Sequence, residues 1–121
     1  MFQVKADSSR NLLEIVFAGE VDAAETKLCV DQMEILLATL TPGFALLNDL
    51  SGLVKMDIDS VPALARSMDL CKKAGVAQIV RVIPDPRKDI GLNIMSRFHY
   101  PHEIQIVICE TLAEAWEILA V

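Results

Sequence analysis

The chain has 121 residues, 53% of them apolar and 23% charged, with a formal net charge of −6. That length supports one sizeable core and is too short for two ordinary ones, so residues 1–121 are expected to form one domain. The negative balance, with no basic run longer than Lys72-Lys73 or Arg87-Lys88, repels phosphate backbones and excludes nucleic acid as the expected partner. No apolar run approaches the ~18 residues of a membrane span, and the opening MFQVKADSSR lacks the basic-then-apolar order of a secretion signal, so a cytoplasmic protein with no membrane partner is expected. Cys29, Cys71 and Cys109 are odd in number, far apart and set inside apolar patterns, as buried thiols are.

Phe2, Val4 and Ala6 alternate with polar residues, SSRN supplies a turn, and Leu13, Ile15 and Phe17 alternate again, which predicts a hairpin with one buried face. Gly19 is expected to end its second strand. In Asp22-Ala-Ala-Glu25 the aspartate can accept from the free N–H groups of a helix start while the glutamate reaches back. Cys29, Met33, Leu36, Leu37 and Leu40 then form one helical stripe, which Thr41-Pro42-Gly43 should stop. FALLNDL, residues 44–50, is apolar on both faces up to Asn48, as a fully covered strand is. A polar loop follows, and Val61, Leu64, Ala65, Met68 and Cys71 mark a second helix closed by Ala74-Gly75. AQIVRVI, residues 77–83, is the next strand. Pro84-Asp85-Pro86 predicts a turn with Asp85 as N-cap and Pro86 at the first position of a third helix, whose stripe would be Ile90, Ile94, Met95 and Phe98. IQIVIC is the last strand, and Thr111-Leu-Ala-Glu114 opens a final helix with Leu112, Ala115, Trp116 and Leu119 facing inward. The order β-β-α-β-α-β-α-β-α predicts an α/β fold: a mixed, mainly parallel sheet of four to five strands, about four helices and an N-terminal hairpin.

Five stretches, GEVDAAET at 19–26, NDLSGLVKMDIDS at 48–60, KKAG at 72–75, VIPDPRK at 82–88 and TLAEAWEIL at 111–119, together resemble STAS domains, the SpoIIAA-like anti-sigma-factor-antagonist family. The resemblance covers about residues 18–119. It implies a non-enzymatic bacterial signalling module without a cofactor, which binds a kinase-like anti-sigma partner and is switched by phosphorylation of a serine at the start of the second main helix. Aligning Asp49 and Leu53 with the family sets Asp57 on its aspartate, Ile58 on its first serine, Asp59 on the phosphorylated serine and Ser60 on its glycine. Here the chain departs from the pattern, because Asp59 carries about one negative charge where a phosphoserine carries about −1.5 to −2.

The candidate regulatory and partner-binding residues are therefore Asp49, Ser51, Asp57, Asp59 and Ser60. An aspartate at a helix start also has a sufficient structural reason, since it accepts backbone N–H bonds and complements the dipole. The loop nevertheless follows a strand at the carboxyl end of a parallel sheet, where open α/β folds place their sites. A phosphate on Ser60 would stand beside two like charges, which disfavours it as a switch. Ligation of a divalent cation by Asp57 and Asp59 would need six or more oxygens, and no further carboxylates are assured there. Asp85, Arg87 and Lys88 mark a second loop on that rim, open to an acidic partner or to a small ligand in a carrier or sensor; the bland reading is a solvated face. Arg81 interrupts an apolar strand and is expected to meet a carboxylate or reach solvent at an edge. His99-Tyr100-Pro101-His102 has no third ligand at metal spacing, and Cys71 with a histidine has no setting for a nucleophile. Leu28, Ile35 and Leu92 lie off the main stripes and point to a partner or homodimer surface.

Overall fold

Alternation in the opening residues becomes the antiparallel pair β1 (Phe2–Asp7) and β2 (Leu12–Val21) in a computed structural model that describes residues 1–85, 87 and 91–120. The remaining elements are α1 (Ala23–Leu37), β3 (Ala45–Met56), a short 3-10 turn (Ile58–Ser60), α2 (Val61–Ala74), β4 (Gln78–Val82), α3 (Leu92–His99), β5 (Gln105–Cys109) and α4 (Leu112–Leu119). The five strands lie side by side in chain order, β1 antiparallel to β2 and every later pair parallel. The chain is thus an α/β fold with a mixed sheet, four described helices and an N-terminal hairpin, as expected.

Each crossover steps the same way across the sheet, so crossovers of one hand put α1, α2 and α3 on one face. Alternation along the strands divides the interior accordingly. Leu13, Ile15, Leu46, Leu50 and Ile79 pack with Cys29, Met33, Leu64, Met68 and Leu92 beneath those helices. Leu12, Leu47, Val80, Val82 and Cys109 turn the other way and meet Ala115 of α4, with Trp116 and Leu119 beside them. Each fully buried leucine contributes about 1.5–3 kcal/mol. The larger cluster therefore dominates.

Local signals hold at most element ends. Asp22 accepts from the Glu25 amide (2.8 Å), and Thr111 accepts from the Glu114 amide (3.2 Å). Glu25 does not complete its box, because its carboxylate faces the Met1 amino nitrogen at 3.0 Å. Gly75 closes α2 with φ 95°, where its N–H reaches the Cys71 and Lys72 carbonyls.

Four boundaries differ by more than one residue from the sequence reading. Gly19 does not end β2; the strand continues to Val21 through a register shift between Gly19 and Glu20. α1 ends at Leu37, ahead of Thr41-Pro42-Gly43, as Thr39 donates its hydroxyl to the Leu36 carbonyl. β3 runs on to Met56, because β2 offers it a ladder partner as far as Val21. The described part of the third helix begins at Leu92 after Gly91, not at Asp85; Pro86 and Ile90 lie outside the described residues.

The third helix also presents a different face. Leu92, expected off the stripe, is buried, whereas Ile94 and Phe98 point outward and Phe98 is 84% exposed. The cause is Arg81, which sits 1% exposed in the sheet interior and donates to Ser96 at 2.6 Å. A buried guanidinium needs oxygen partners, so α3 turns its serine inward and its neighbouring apolar residues outward. Arg81 does not reach solvent at an edge, because β5 lies outside β4.

Candidate functional site

The ends of β2 and β3 are fastened together where the Asp57 amide donates to the Val21 carbonyl (3.0 Å). Asp57 then turns its side chain to accept from the Asp59 amide (3.0 Å) and its carbonyl to accept from the Ser60 amide (2.9 Å). These bonds wind one 3-10 turn, after which Pro62 stands in the first turn of α2 where its missing N–H costs nothing. The tight turn throws Ile58 outward: it is 81% exposed, and Val61 is 42% exposed.

Ser60 points the other way. It is 0% exposed, and its hydroxyl meets that of Thr26 at 2.9 Å, while Thr26 donates to the Asp22 carbonyl at 3.0 Å. The pair locks the first turn of α1 against the start of α2. Further along, the two helices are joined by Arg66 of α2, which bonds Asp31 of α1 at 2.6 Å and holds that carboxyl below its ordinary pKa.

A groove of about 580 Å³ runs along this rim, lined by Glu20, Asp22, Glu25, Lys55, Met56 and Asp57 with Ile58 at its lip. It continues into a cleft of Met56, Ile58, Val61 and Leu64 at the head of α2. The result is an apolar step set in acid. Glu20, Asp22, Glu25, Met56, Ile58 and Val61 also belong to this surface, beyond the site residues expected from sequence. The available signal was an isoleucine standing inside an otherwise polar, acidic run.

The remaining candidates are not brought together with this rim. Asp49 is buried, lies between Val16 and Val82, and accepts from the Ser51 amide at 2.9 Å; the alternation that turns Leu47 toward α4 turns Asp49 the same way, away from Ser60. Ser51 is exposed within β3 itself rather than in a loop. Asp85 and Arg87 clasp each other, Nη2 to Oδ2 at 2.9 Å and the Arg87 amide to Oδ1 at 3.0 Å, which raises the arginine pKa further. Lys88 lies outside the described residues. Among the described residues no three of His, Cys, Asp or Glu gather as a metal-holding group. His99 pairs instead with Asp69 of α2 at 2.8 Å. Burial pushes the Cys29 and Cys71 thiols up to about 12, far from nucleophilic use near neutrality.

No protein-family model matches the chain, and no curated protein matches it. Solved structures do. The chain resembles the anti-sigma factor antagonist SpoIIAA in its unphosphorylated form, with TM-score 0.65 and 17% identity over 99% of this chain and 97% of that one. An uncharacterised protein of the DUF3478 family from Shewanella loihica, with a SpoIIAA-like fold, aligns with TM-score 0.69 and 14% identity over 98% and 93% of the two chains. An anti-sigma factor antagonist from Mycobacterium paratuberculosis aligns with TM-score 0.60 and 18% identity over 100% and 96%. The fold of this chain is therefore the STAS, SpoIIAA-like fold. No helix among the described residues is long and apolar enough to cross a membrane.

Proposed function

We propose, from the SpoIIAA-like fold, that this chain is a non-enzymatic regulatory module of the bacterial cytoplasm that works by docking a protein partner on the rim at the head of α2. The observation that carries the reading is the exposed apolar step of Ile58 and Val61 beside a groove whose charged lining is Glu20, Asp22, Glu25, Asp57 and Lys55, with Asp59 exposed on the same turn. Two of the similar structures being anti-sigma factor antagonists supports an anti-sigma factor of the kinase-like kind as that partner. Its matching surface presents an apolar side chain ringed by lysine or arginine. Asp57 and Asp59 act in recognition, and Asp59 supplies a fixed charge where the family resemblance sets a phosphorylated serine. Ser60 supports the rim from below through Thr26 rather than serving as the switch. Asp49 and Ser51 shape the β3 strand that carries the rim. The ligand-carrier reading gains nothing from the loop expected to bound its pocket, since Asp85 and Arg87 neutralise each other.

The test is capture of the partner from native cells with the wild-type chain and with Ile58→Glu, both first checked for equal melting temperature. The wild type is expected to retain a nucleotide-binding, kinase-like protein, and the variant to lose at least tenfold in affinity, since removing a central anchor costs about 2 kcal/mol or more. Equal retention of that protein by both chains sinks the proposed rim. With the captured partner and ATP, Asp59→Ser is expected to take up phosphate at residue 59 while the wild type does not.

A further inference from the structure

Beneath α3 lies a narrow, mostly buried cavity of about 20 Å³, walled by apolar side chains of β2, α1 and α2 and by Asn48, Ser67, Arg81 and Tyr100. A space of that size admits a water molecule, for which roughly 10–15 Å³ is the minimum. Asn48 is 8% exposed, and its Oδ1 has no hydrogen-bond partner among the described residues. It is the cross-strand neighbour of Arg81 in the β3–β4 register, so an acceptor and a multiple donor flank the same space. Ser67 donates its proton to the Leu64 carbonyl at 2.6 Å, which leaves its oxygen able to accept.

We propose that this cavity is a binding site for one structural water, held between the sheet and α2. Its two protons go to Asn48 Oδ1 and Ser67 Oγ, and its lone pair accepts from the Arg81 guanidinium. An amide oxygen sealed in a dry apolar interior forfeits its hydrogen bond, and cores of this kind satisfy such groups with water. Three partners on β3, β4 and α2 meet the two-to-four that an internal water takes. The water thereby ties the helix that carries the rim to the strands beneath it.

A crystal map of the wild-type chain at atomic resolution and oxygen-17 relaxation dispersion in solution test this directly, with Asn48→Leu as the comparison because leucine keeps the bulk and removes the acceptor. The map is expected to show a peak within hydrogen-bond distance of Asn48, and the dispersion to lose the amplitude of one long-lived water in the variant. A cavity without a peak in the wild-type map overturns the site whether or not the variant folds, and so does a dispersion amplitude that the substitution leaves unchanged.

Discussion

Adjacent residues 59 and 60 differ in chemical circumstance more than in sequence position. Asp59 is exposed and Ser60 is sealed against Thr26, so a negative charge is admitted at one and excluded at the other. Ser60→Asp is expected to cost about 3–5 kcal/mol, the usual penalty for an uncompensated buried charge. Differential scanning calorimetry should read this as a loss of roughly 10–20 °C in melting temperature. Asp59→Asn is expected to stay within about 0.5 kcal/mol of the wild type. The candidate site was legible in part for this reason. An acidic run after a strand announces a helix start and a rim, but periodicity carries no information on which side chain of a 3-10 turn faces inward. The burial of Ser60 depends on Thr26, which lies 34 positions away.

The cysteines give the same scale a pH signature. Burial raises the Cys29 and Cys71 thiols from 9.0 to about 12, and raises the Tyr100 phenol as well. Between pH 9 and 12 the unfolded chain has released thiol protons that the folded chain still holds, so stability falls as pH rises, by about 1.4 kcal/mol per pH unit for each thiol. Below pH 9 both states hold those protons and the slope from the thiols vanishes. Urea unfolding at a series of pH values across 9 to 11 should show the decline begin near 9, and Cys71→Ala should make it shallower.

At the level of elements, the crossovers through α1 and α2 are fastened to each other at their returning ends. The Gly43 amide donates to the Gly75 carbonyl at 2.7 Å, and a methyl at Gly75 would stand 2.9 Å from Pro42 Cβ and 3.0 Å from its Cα. Gly75 also holds φ 95°, so Gly75→Ala meets both backbone strain and a clash that a rotamer change cannot relieve. A loss of about 1–3 kcal/mol in denaturant unfolding is expected. The elements themselves were readable because caps and stripes are local signals. The exception, α3, shows the limit. Its sequence pattern favours Ile94 and Phe98 as the inner face, and a single buried Arg81 on β4 overrides it through Ser96. No local rule contains that contact.

For the whole molecule, a net charge of −6 surrounds a proposed docking rim that is itself acidic. A basic partner should therefore be steered in from beyond contact distance, and screening lengths of about 8–10 Å near physiological salt set the range. The association rate constant measured by stopped flow is expected to fall roughly tenfold or more between low salt and several hundred millimolar, with the dissociation rate much less affected. A rate constant independent of salt would separate the acids from recognition. Because α4 rests on its own small cluster across the sheet from α1, α2 and α3, its docking can be followed through Trp116. If residues 1–121 fold as one unit, Trp116 fluorescence and far-ultraviolet circular dichroism should trace a single unfolding transition.

The fastenings described for the crossovers have a counterpart in Asn11, whose side chain accepts from the Thr41 amide at 3.0 Å and donates to the Thr41 carbonyl at 3.1 Å. Both braces lie at the end of the sheet remote from the rim. A library randomised at Lys55, Ile58, Asp59 and Val61 is therefore expected to vary the proposed docking while the anchorage of the fold stays untouched. Leu53 in the core, Asp57 winding the turn and Ser60 sealed against Thr26 stay fixed in such a library, because each is held by packing or a hydrogen bond beneath the surface that is varied.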